Sequence, residues 1–153
     1  MPQRAKRAAD RYYSHVGPRF SCCYCDEPAE QVDHATPASW LHYNLHLIED
    51  WRFYSVASCA DCNAKAGASF DLTFRERRAR IARAVRKENT KLLSAPRWSD
   101  DELDEMGSLM VAEIVKAMRE KERVKRRLKV LESRSIPEGV PNDMLMRREM
   151  AEA

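Results

Sequence analysis

The residues of this chain best suited to chemistry are two cysteine pairs of identical spacing. The first is Cys22/Cys25, the second is Cys59/Cys62, and an Asp33-His34 dipeptide lies between them. Zn²⁺ prefers tetrahedral sites made of soft ligands such as thiolates. The i, i+3 spacing lets one tight turn direct both sulfurs of a pair at one ion. We therefore predict a zinc site whose four positions are filled by cysteine, so that the metal contributes folding energy rather than catalysis.

Three polar residues beside the predicted zinc site could support hydrolysis of a phosphodiester. That reaction needs a water deprotonated near neutral pH and a divalent cation to neutralise the charge developing on the phosphate. His34 can serve as the base, while Asp33 and Asn63, which directly follows Cys62, offer oxygen ligands for Mg²⁺. Because adjacent residues of a strand point to opposite faces, Asp33 and His34 can serve one phosphate only at a bend or a strand end. Each residue also has a structural interpretation: strand-end aspartate, half-buried histidine and helix N-cap.

The size and composition of the chain bound its class. The 153 residues fit one domain, or a small module with a helical extension, and 44% hydrophobic residues allow only a modest core. No apolar run approaches the roughly 18 residues of a membrane-spanning helix, and the basic N-terminus lacks the apolar segment of a secretory signal. We expect a soluble cytoplasmic protein, where close cysteine pairs bind metals more often than they form disulfides.

Positive charge is concentrated in two segments although the net charge is only +3. Residues 75–91 carry eight Lys or Arg against two Glu, and residues 119–134 carry eight against three. Such clusters suit a polyanion, although a solvated helix face has a similar pattern. We predict that the first cluster contacts DNA phosphates through seven side chains: Arg75, Arg77, Arg78, Arg80, Arg83, Arg86 and Lys87.

The N-terminal half reads as short elements around the cysteine pairs. Residues 3–14 are predicted to form a short basic helix, and residues 30–34 and 53–57 are predicted strands because they are β-branched, aromatic or alternating. Residues 38–50 are ambiguous, with a helix favoured over a strand. The sequence thus predicts a small mixed core.

The C-terminal half reads as helical. Apolar residues recur at helical spacing from Phe70 until Pro96 interrupts the pattern. Ser99 and Glu102 then form a capping box that opens a helix running to about Arg134. A helix of roughly 35 residues would reach about 50 Å, more than a small domain covers. We expect it to pack on a partner chain or to break within its basic stretch.

The order of these motifs resembles the HNH, or ββα-metal, nuclease superfamily, and most closely the phage recombination endonuclease VII family of Holliday-junction resolvases. That family has a Cys-x-x-Cys pair, an Asp-His dipeptide and a Cys-x-x-Cys-Asn-Ala motif followed shortly by glycine. Here the elements are Cys22 to Cys25, Asp33-His34 and Cys59 to Gly67. The match covers about residues 20–67, under a third of the chain.

The resemblance implies a function and a set of roles. It implies zinc on the four cysteines, His34 as general base, and Asp33 and Asn63 as ligands of a catalytic Mg²⁺ or Mn²⁺. The implied reaction is metal-dependent endonucleolytic hydrolysis of DNA, with branched, Holliday-junction-like DNA as a candidate substrate. It also implies a homodimer through the C-terminal helices, and a phage protein that acts in the host cytoplasm.

The resulting prediction is an α+β protein, mainly helical overall, with a small zinc-stapled ββα-metal core and a long helical extension. The predicted organisation is a basic N-terminal helix in residues 1–19, the nuclease core in 20–69, a DNA-binding and dimerisation region in 70–134, and a flexible tail in 135–153.

Two departures from the family pattern keep a second class of function open. Lys65-Ala66 stands where endonuclease VII-like proteins have an acidic residue, and Tyr54-Ser55 stands where many HNH proteins carry an asparagine. These changes fit a non-catalytic zinc module that binds nucleic acid or a host protein such as RNA polymerase.

Overall fold

A computed structural model of the chain describes residues 13–44, 51–144 and 146–147. Within them lies a small sheet of four strands: β1 (Tyr13–His15), β2 (Gln31–His34), β3 (Trp51–Ser58) and β4 (Met146–Arg147). The helices are α1 (Ala38–Tyr43), α2 (Ala60–Ala66), α3 (Phe74–Glu88), α4 (Thr90–Ser94), α5 (Asp100–Asp104) and α6 (Ser108–Leu131). The predicted α+β class is confirmed.

Strand β3 is the centre of the sheet. It pairs in parallel with β1 on one side and antiparallel with β2 on the other, and β4 pairs antiparallel with its first residues. Its aromatic and β-branched residues suit a strand buried on both faces. Tyr54 and Val56 enter the main core, whereas Phe53 packs with Leu41 in a second, smaller cluster. Alternation along β3 therefore gives the sheet a core face and an opposite face.

Helices α3 and α6 cover the core face. Thr73 caps α3 through a capping box with Glu76, and Phe74 and Ile81 are fully buried on its inner side. Only the last two turns of α6 reach this core, where Val124, Leu128 and Leu131 are buried. The helical extension is therefore attached to the sheet domain at one end of α6.

Several predictions about elements are confirmed and others are corrected. The strands predicted at 30–34 and 53–57 are β2 and β3. The predicted helix at 38–50 is helical over Ala38–Tyr43, and residues 45–50 lie outside the described part. The basic helix predicted for 3–14 is wrong at its end, because Tyr13–His15 is a strand paired with β3, and residues 1–12 lie outside the described part.

The long helix predicted from Ser99 is interrupted. Ser99 and Glu102 form the capping box, but α5 ends at Asp104 and α6 begins at Ser108. Acidic residues at the end of α5 oppose the helix dipole, and Gly107 takes an extended conformation as the N-cap of α6. These two local causes end the first helix and begin the second.

The predicted flexible tail is also corrected over its described part. Val140 and Met144 are buried in the main core. The Tyr54 hydroxyl donates to the Pro141 carbonyl at 3.0 Å, and the Met144 carbonyl accepts from Thr36 Oγ1 at 3.1 Å. This segment therefore closes the core instead of leaving it.

Candidate metal centre and adjoining cleft

The four cysteines of the two pairs meet in one buried cluster. The ligand atoms of Cys22, Cys25, Cys59 and Cys62 all lie within 4.8 Å of one another, and Cys25 Sγ is 3.7 Å from Cys59 Sγ. In a tetrahedron with Zn–S bonds of about 2.3 Å, neighbouring sulfurs lie about 3.8 Å apart. The cluster thus matches the donor type, number and spacing that zinc requires, and it could hold such a metal.

Local structure places each pair as the spacing predicts. The first pair lies on a tight turn, in which the Asp26 N–H donates to the Cys22 carbonyl at 2.9 Å and Asp26 adopts a positive φ of 65°. The second pair opens helix α2, with Cys59 as N-cap and Cys62 in the first turn. The tight turn therefore supplies two of the sulfurs, and the N-terminus of α2 supplies the other two.

The four sulfurs lie close enough to hydrogen-bond to one another, and these contacts shift the pKa values of the thiols in opposite directions. Hydrogen bonds from Cys25, Cys59 and Cys62 lower the pKa of Cys22. Hydrogen bonds with Cys22, Cys25 and Cys59, in that order of size, raise the pKa of Cys62. A metal removes this competition because it binds the thiolates and releases their protons.

Cys23, the fifth cysteine, is not part of the cluster. It is 1% exposed, its sulfur lies 3.8 Å from the Pro18 carbonyl oxygen, and burial raises its pKa to about 11. The prediction that Cys22 rather than Cys23 completes the cluster agrees with this placement.

Helix α6 brings an arginine to the cluster that the motifs do not reveal. Arg127 is 7% exposed, and its Nη2 lies 3.5 Å from Cys62 Sγ and 2.6 Å from Asp61 Oδ2. A zinc ion with four thiolates carries a net charge of −2, so a buried guanidinium at this distance offsets part of it. The only sequence signal for Arg127 is its place at helical spacing between Val124 and Leu131.

Asp33 lies on the core face of the sheet, in a buried ion pair. It is 5% exposed, and Arg77 is fully buried. Arg77 Nη2 donates to both Asp33 oxygens at 3.0 and 3.1 Å, its Nε donates to Oδ2 at 3.1 Å, and the Tyr24 hydroxyl donates to the same oxygen. Burial and the Asp33 charge raise the pKa of Tyr24, which keeps its proton. Both carboxylate oxygens are therefore occupied by protein donors.

The opposite face of the sheet forms an open cleft of about 650 Å³. His15, Ser55 and His34 lie opposite one another on three neighbouring strands, and Asn63 borders the cleft from helix α2. The Asn63 amide donates to Gln31 Oε1 at 2.7 Å, which holds the side chain at the cleft wall. The Tyr13 ring contacts His34 edge-on with centroids 4.4 Å apart. Two imidazoles, a hydroxyl and an amide thus share one solvent-accessible space.

The structure brings two of the three predicted catalytic residues together. His34 and Asn63 line the same cleft, whereas Asp33 points to the other face of β2, as strand alternation requires. A Mg²⁺ ion shared by Asp33 and Asn63 does not fit this arrangement, since Asp33 would first have to leave Arg77 and Tyr24. His15 is the cleft residue that the sequence interpretation missed, because it falls in a segment predicted to be helical.

The arginine-rich helix is more tightly paired than its sequence indicates. Arg77 and Arg78 are buried, and Arg78 donates to the carbonyls of Val130 and Ser135. As placed, neither can reach DNA, which corrects the prediction for these two residues. Arg80 pairs with Asp71 at 2.7 Å and Arg86 with Glu132 at 2.6 Å. The basic side chains left exposed on α3 are those of Arg75, Arg83, Arg86 and Lys87.

Comparisons with known proteins add no assignment. No protein-family model matches the chain, and neither curated proteins nor solved structures gave a match. In the described part of the chain, none of the helices combines the length and apolar character needed to cross a membrane.

Proposed function

We propose that this protein is a small zinc-stabilised endonuclease of the ββα-metal type that hydrolyses phosphodiester bonds in DNA. The observation that carries the proposal is the open cleft that His34 and Asn63 both line. Asn63 follows Cys62 directly, so a metal on the cysteines would fix a residue that lines the same cleft as His34. A rigid metal centre that supports an open polar cleft is what positioning a scissile phosphate requires.

The proposed base is His34. A histidine at the wall of an open cleft can accept a proton from water near neutral pH, and the resulting hydroxide attacks phosphorus. The edge-on Tyr13 ring restricts the orientation of the imidazole. Mg²⁺ or Mn²⁺ is the expected cation, although Asp33 does not fit as its ligand because Arg77 and Tyr24 occupy its oxygens.

The proposed DNA contacts are the exposed basic residues of α3. Arg75, Arg83, Arg86 and Lys87 lie on its outer surface, whereas Arg77 and Arg78 hold the fold together. Contacts of this kind bind the phosphate backbone without reading sequence, so affinity falls steeply with salt. Recognition of DNA shape, as in a branched junction, is compatible with such contacts.

The test is cleavage of a labelled four-way junction and its matching linear duplex by the zinc-loaded protein, in Mg²⁺, in Mn²⁺ and in EDTA. We expect cleavage that falls at least a hundredfold in His34→Ala. His34→Ala must keep the zinc content and melting temperature of the wild type. Preference for the junction would identify a resolvase. Failure of the wild-type protein to cut either substrate in both metals would refute the nuclease.

Two observations favour a second candidate, a non-catalytic zinc module that binds nucleic acid or a host protein such as RNA polymerase. The Asp33 carboxylate, a metal ligand in the family pattern, is locked to Arg77 in the core. Lys65-Ala66 stands where the family has an acidic residue: Ala66 offers no carboxylate, and Lys65 pairs with Asp61 and Glu88. Binding of DNA or polymerase by a protein that cuts neither substrate would establish this candidate.

A further inference from the structure

The strand order of the sheet places two histidines symmetrically about one serine. His15 on β1 pairs with Ser55 on β3, and Ser55 pairs with His34 on β2. Residues directly opposite in neighbouring strands project to the same face. Strands lie about 4.8 Å apart, so the two histidine backbones are separated by roughly 9.6 Å, with Ser55 midway. Both imidazoles border the open cleft.

His15 carries a nitrogen that lacks a partner. Its Nε2 is shielded from solvent and makes no hydrogen bond to any described residue. An unsatisfied buried nitrogen costs free energy that a bound ligand can recover. For Nε2 to reach an acceptor in the cleft, the ring has to turn toward it. Burial, and then the charge of Arg19, lower the pKa of His15 in the free protein, and a bound anion opposes both effects.

The separation of the imidazoles suits a single phosphorus centre. Side chains of a strand stand roughly perpendicular to the sheet, so from the strand spacing we expect the two rings to lie about 9–10 Å apart above it. If each imidazole makes a hydrogen bond of about 3 Å to an oxygen of the substrate, about 3–4 Å remains between those two oxygens. This is about the distance between the attacking and the leaving oxygen when the two lie in line on opposite sides of one phosphorus atom.

We propose that His15 is a second catalytic residue of the cleft, which protonates the leaving oxygen of a phosphodiester seated over Ser55. This inference rests on the proposed nuclease function. His34 takes a proton from water, whose oxygen forms the new bond to phosphorus. The bond from phosphorus to the leaving oxygen breaks, and that oxygen takes the proton of the His15 imidazolium. Exchange with solvent returns both histidines to their starting states.

The test compares DNA with a substrate that needs no acid. Thymidine 5′-p-nitrophenyl phosphate releases p-nitrophenolate, a stable anion. We expect His15→Gln to lower cleavage of the DNA substrate about a hundredfold while hydrolysis of the p-nitrophenyl ester changes less than threefold. His34→Ala should lose both activities. Ser14→Ala is the matched control, because Ser14 is exposed on the same strand and pairs with Tyr54 on the other face.

The outcomes separate the two proposals. DNA cleavage by His15→Gln at the wild-type rate overturns the role of His15 and leaves the nuclease intact. Equal loss of both activities, with melting temperature and zinc content unchanged, overturns the acid role as well. If the wild-type protein hydrolyses neither substrate, the nuclease itself is refuted and the inference falls with it. If His15→Gln loses DNA cleavage but keeps hydrolysis of the p-nitrophenyl ester, His15 is supported as the acid.

Discussion

The guanidinium of Arg77 joins three distant parts of the chain. It donates to Asp33 on β2, to Asp71 before α3 and to the Tyr24 hydroxyl in the first cysteine turn. Charges are tolerated in a protein core only when they are paired and hydrogen-bonded. Arg77 therefore fixes the turn that holds Cys22 and Cys25 against the sheet.

Breaking this ion pair is expected to cost stability. We predict that Arg77→Met lowers the free energy of unfolding by about 3–5 kcal/mol, because it leaves the buried Asp33 carboxylate without its cationic partner. Asp33→Asn should cost less, because Arg77 keeps its ion pair with Asp71. Urea unfolding of the zinc-loaded protein measures the effect. Arg83→Met is the control, since Arg83 is exposed on the same helix.

The Asp33→Asn variant also distinguishes a structural role of Asp33 from a role as a metal ligand. If Asp33→Asn retained wild-type stability but lost Mg²⁺-dependent cleavage, Asp33 would be the ligand that the sequence predicts. The ion pair would then have to open during catalysis.

Arg127 supports the cysteine cluster through charge. We predict that Arg127→Met releases zinc to a chelator about tenfold faster than the wild type, a typical effect of removing a group that contacts a metal ligand. The colour change of 4-(2-pyridylazo)resorcinol measures the release. Arg126→Met is the control because Arg126 is the exposed neighbour on α6. Equal release rates for the two variants would show that Arg127 serves packing alone.

At the scale of elements, two capping boxes of the same design have different consequences. Thr73 and Glu76 cap α3, whose inner side carries Phe74 and Ile81 into the core. Ser99 and Glu102 cap α5, a helix of five residues that buries none of them. A cap contributes to global stability only as far as its helix is coupled to the core.

This difference gives a paired prediction. Thr73→Ala should lower the free energy of unfolding by about 1 kcal/mol, the usual cost of losing an N-cap oxygen. Ser99→Ala should change it by less than about 0.5 kcal/mol, since surface changes away from buried features have little effect. Thermal and urea unfolding of both variants measure the two effects. A larger loss in Ser99→Ala would show that α5 packs on more than the described contacts.

Features that depend on residues close together in the sequence could be predicted, whereas features that depend on distant partners could not. The cysteine spacing, β2, β3 and the Ser99 cap depend on patterns within a few residues, and each was predictable. The α3 arginines pair with carboxylates at residues 33, 71 and 132, which lie outside the helix. A count of charges within residues 75–91 therefore could not show that these arginines are neutralised. His15 was missed because its strand exists only by pairing with β3.

The whole molecule carries an apolar surface at one end. Helix α6 has 24 residues, about 36 Å, yet its buried residues all lie from Val124 onward. In its first turn Leu109 is 85% exposed and Met110 is 60% exposed. Ile114 and Met118 continue the Met110 side of the helix at four-residue intervals. This surface is where we place the predicted homodimer contact.

Formation of the predicted homodimer can be tested by measuring the mass of the protein in solution. The wild-type protein should elute as a species of twice 17.7 kDa in size-exclusion chromatography with light scattering at micromolar concentration. The double variant Leu109→Glu, Met110→Glu should elute as a monomer, because four carboxylates brought together across a two-fold axis repel one another. Leu72→Glu is the control, since Leu72 is 66% exposed elsewhere on the surface. A monomeric wild type would leave α6 without a second copy to pack on, and the proposed DNA contacts of α3 would then have to act from a single chain.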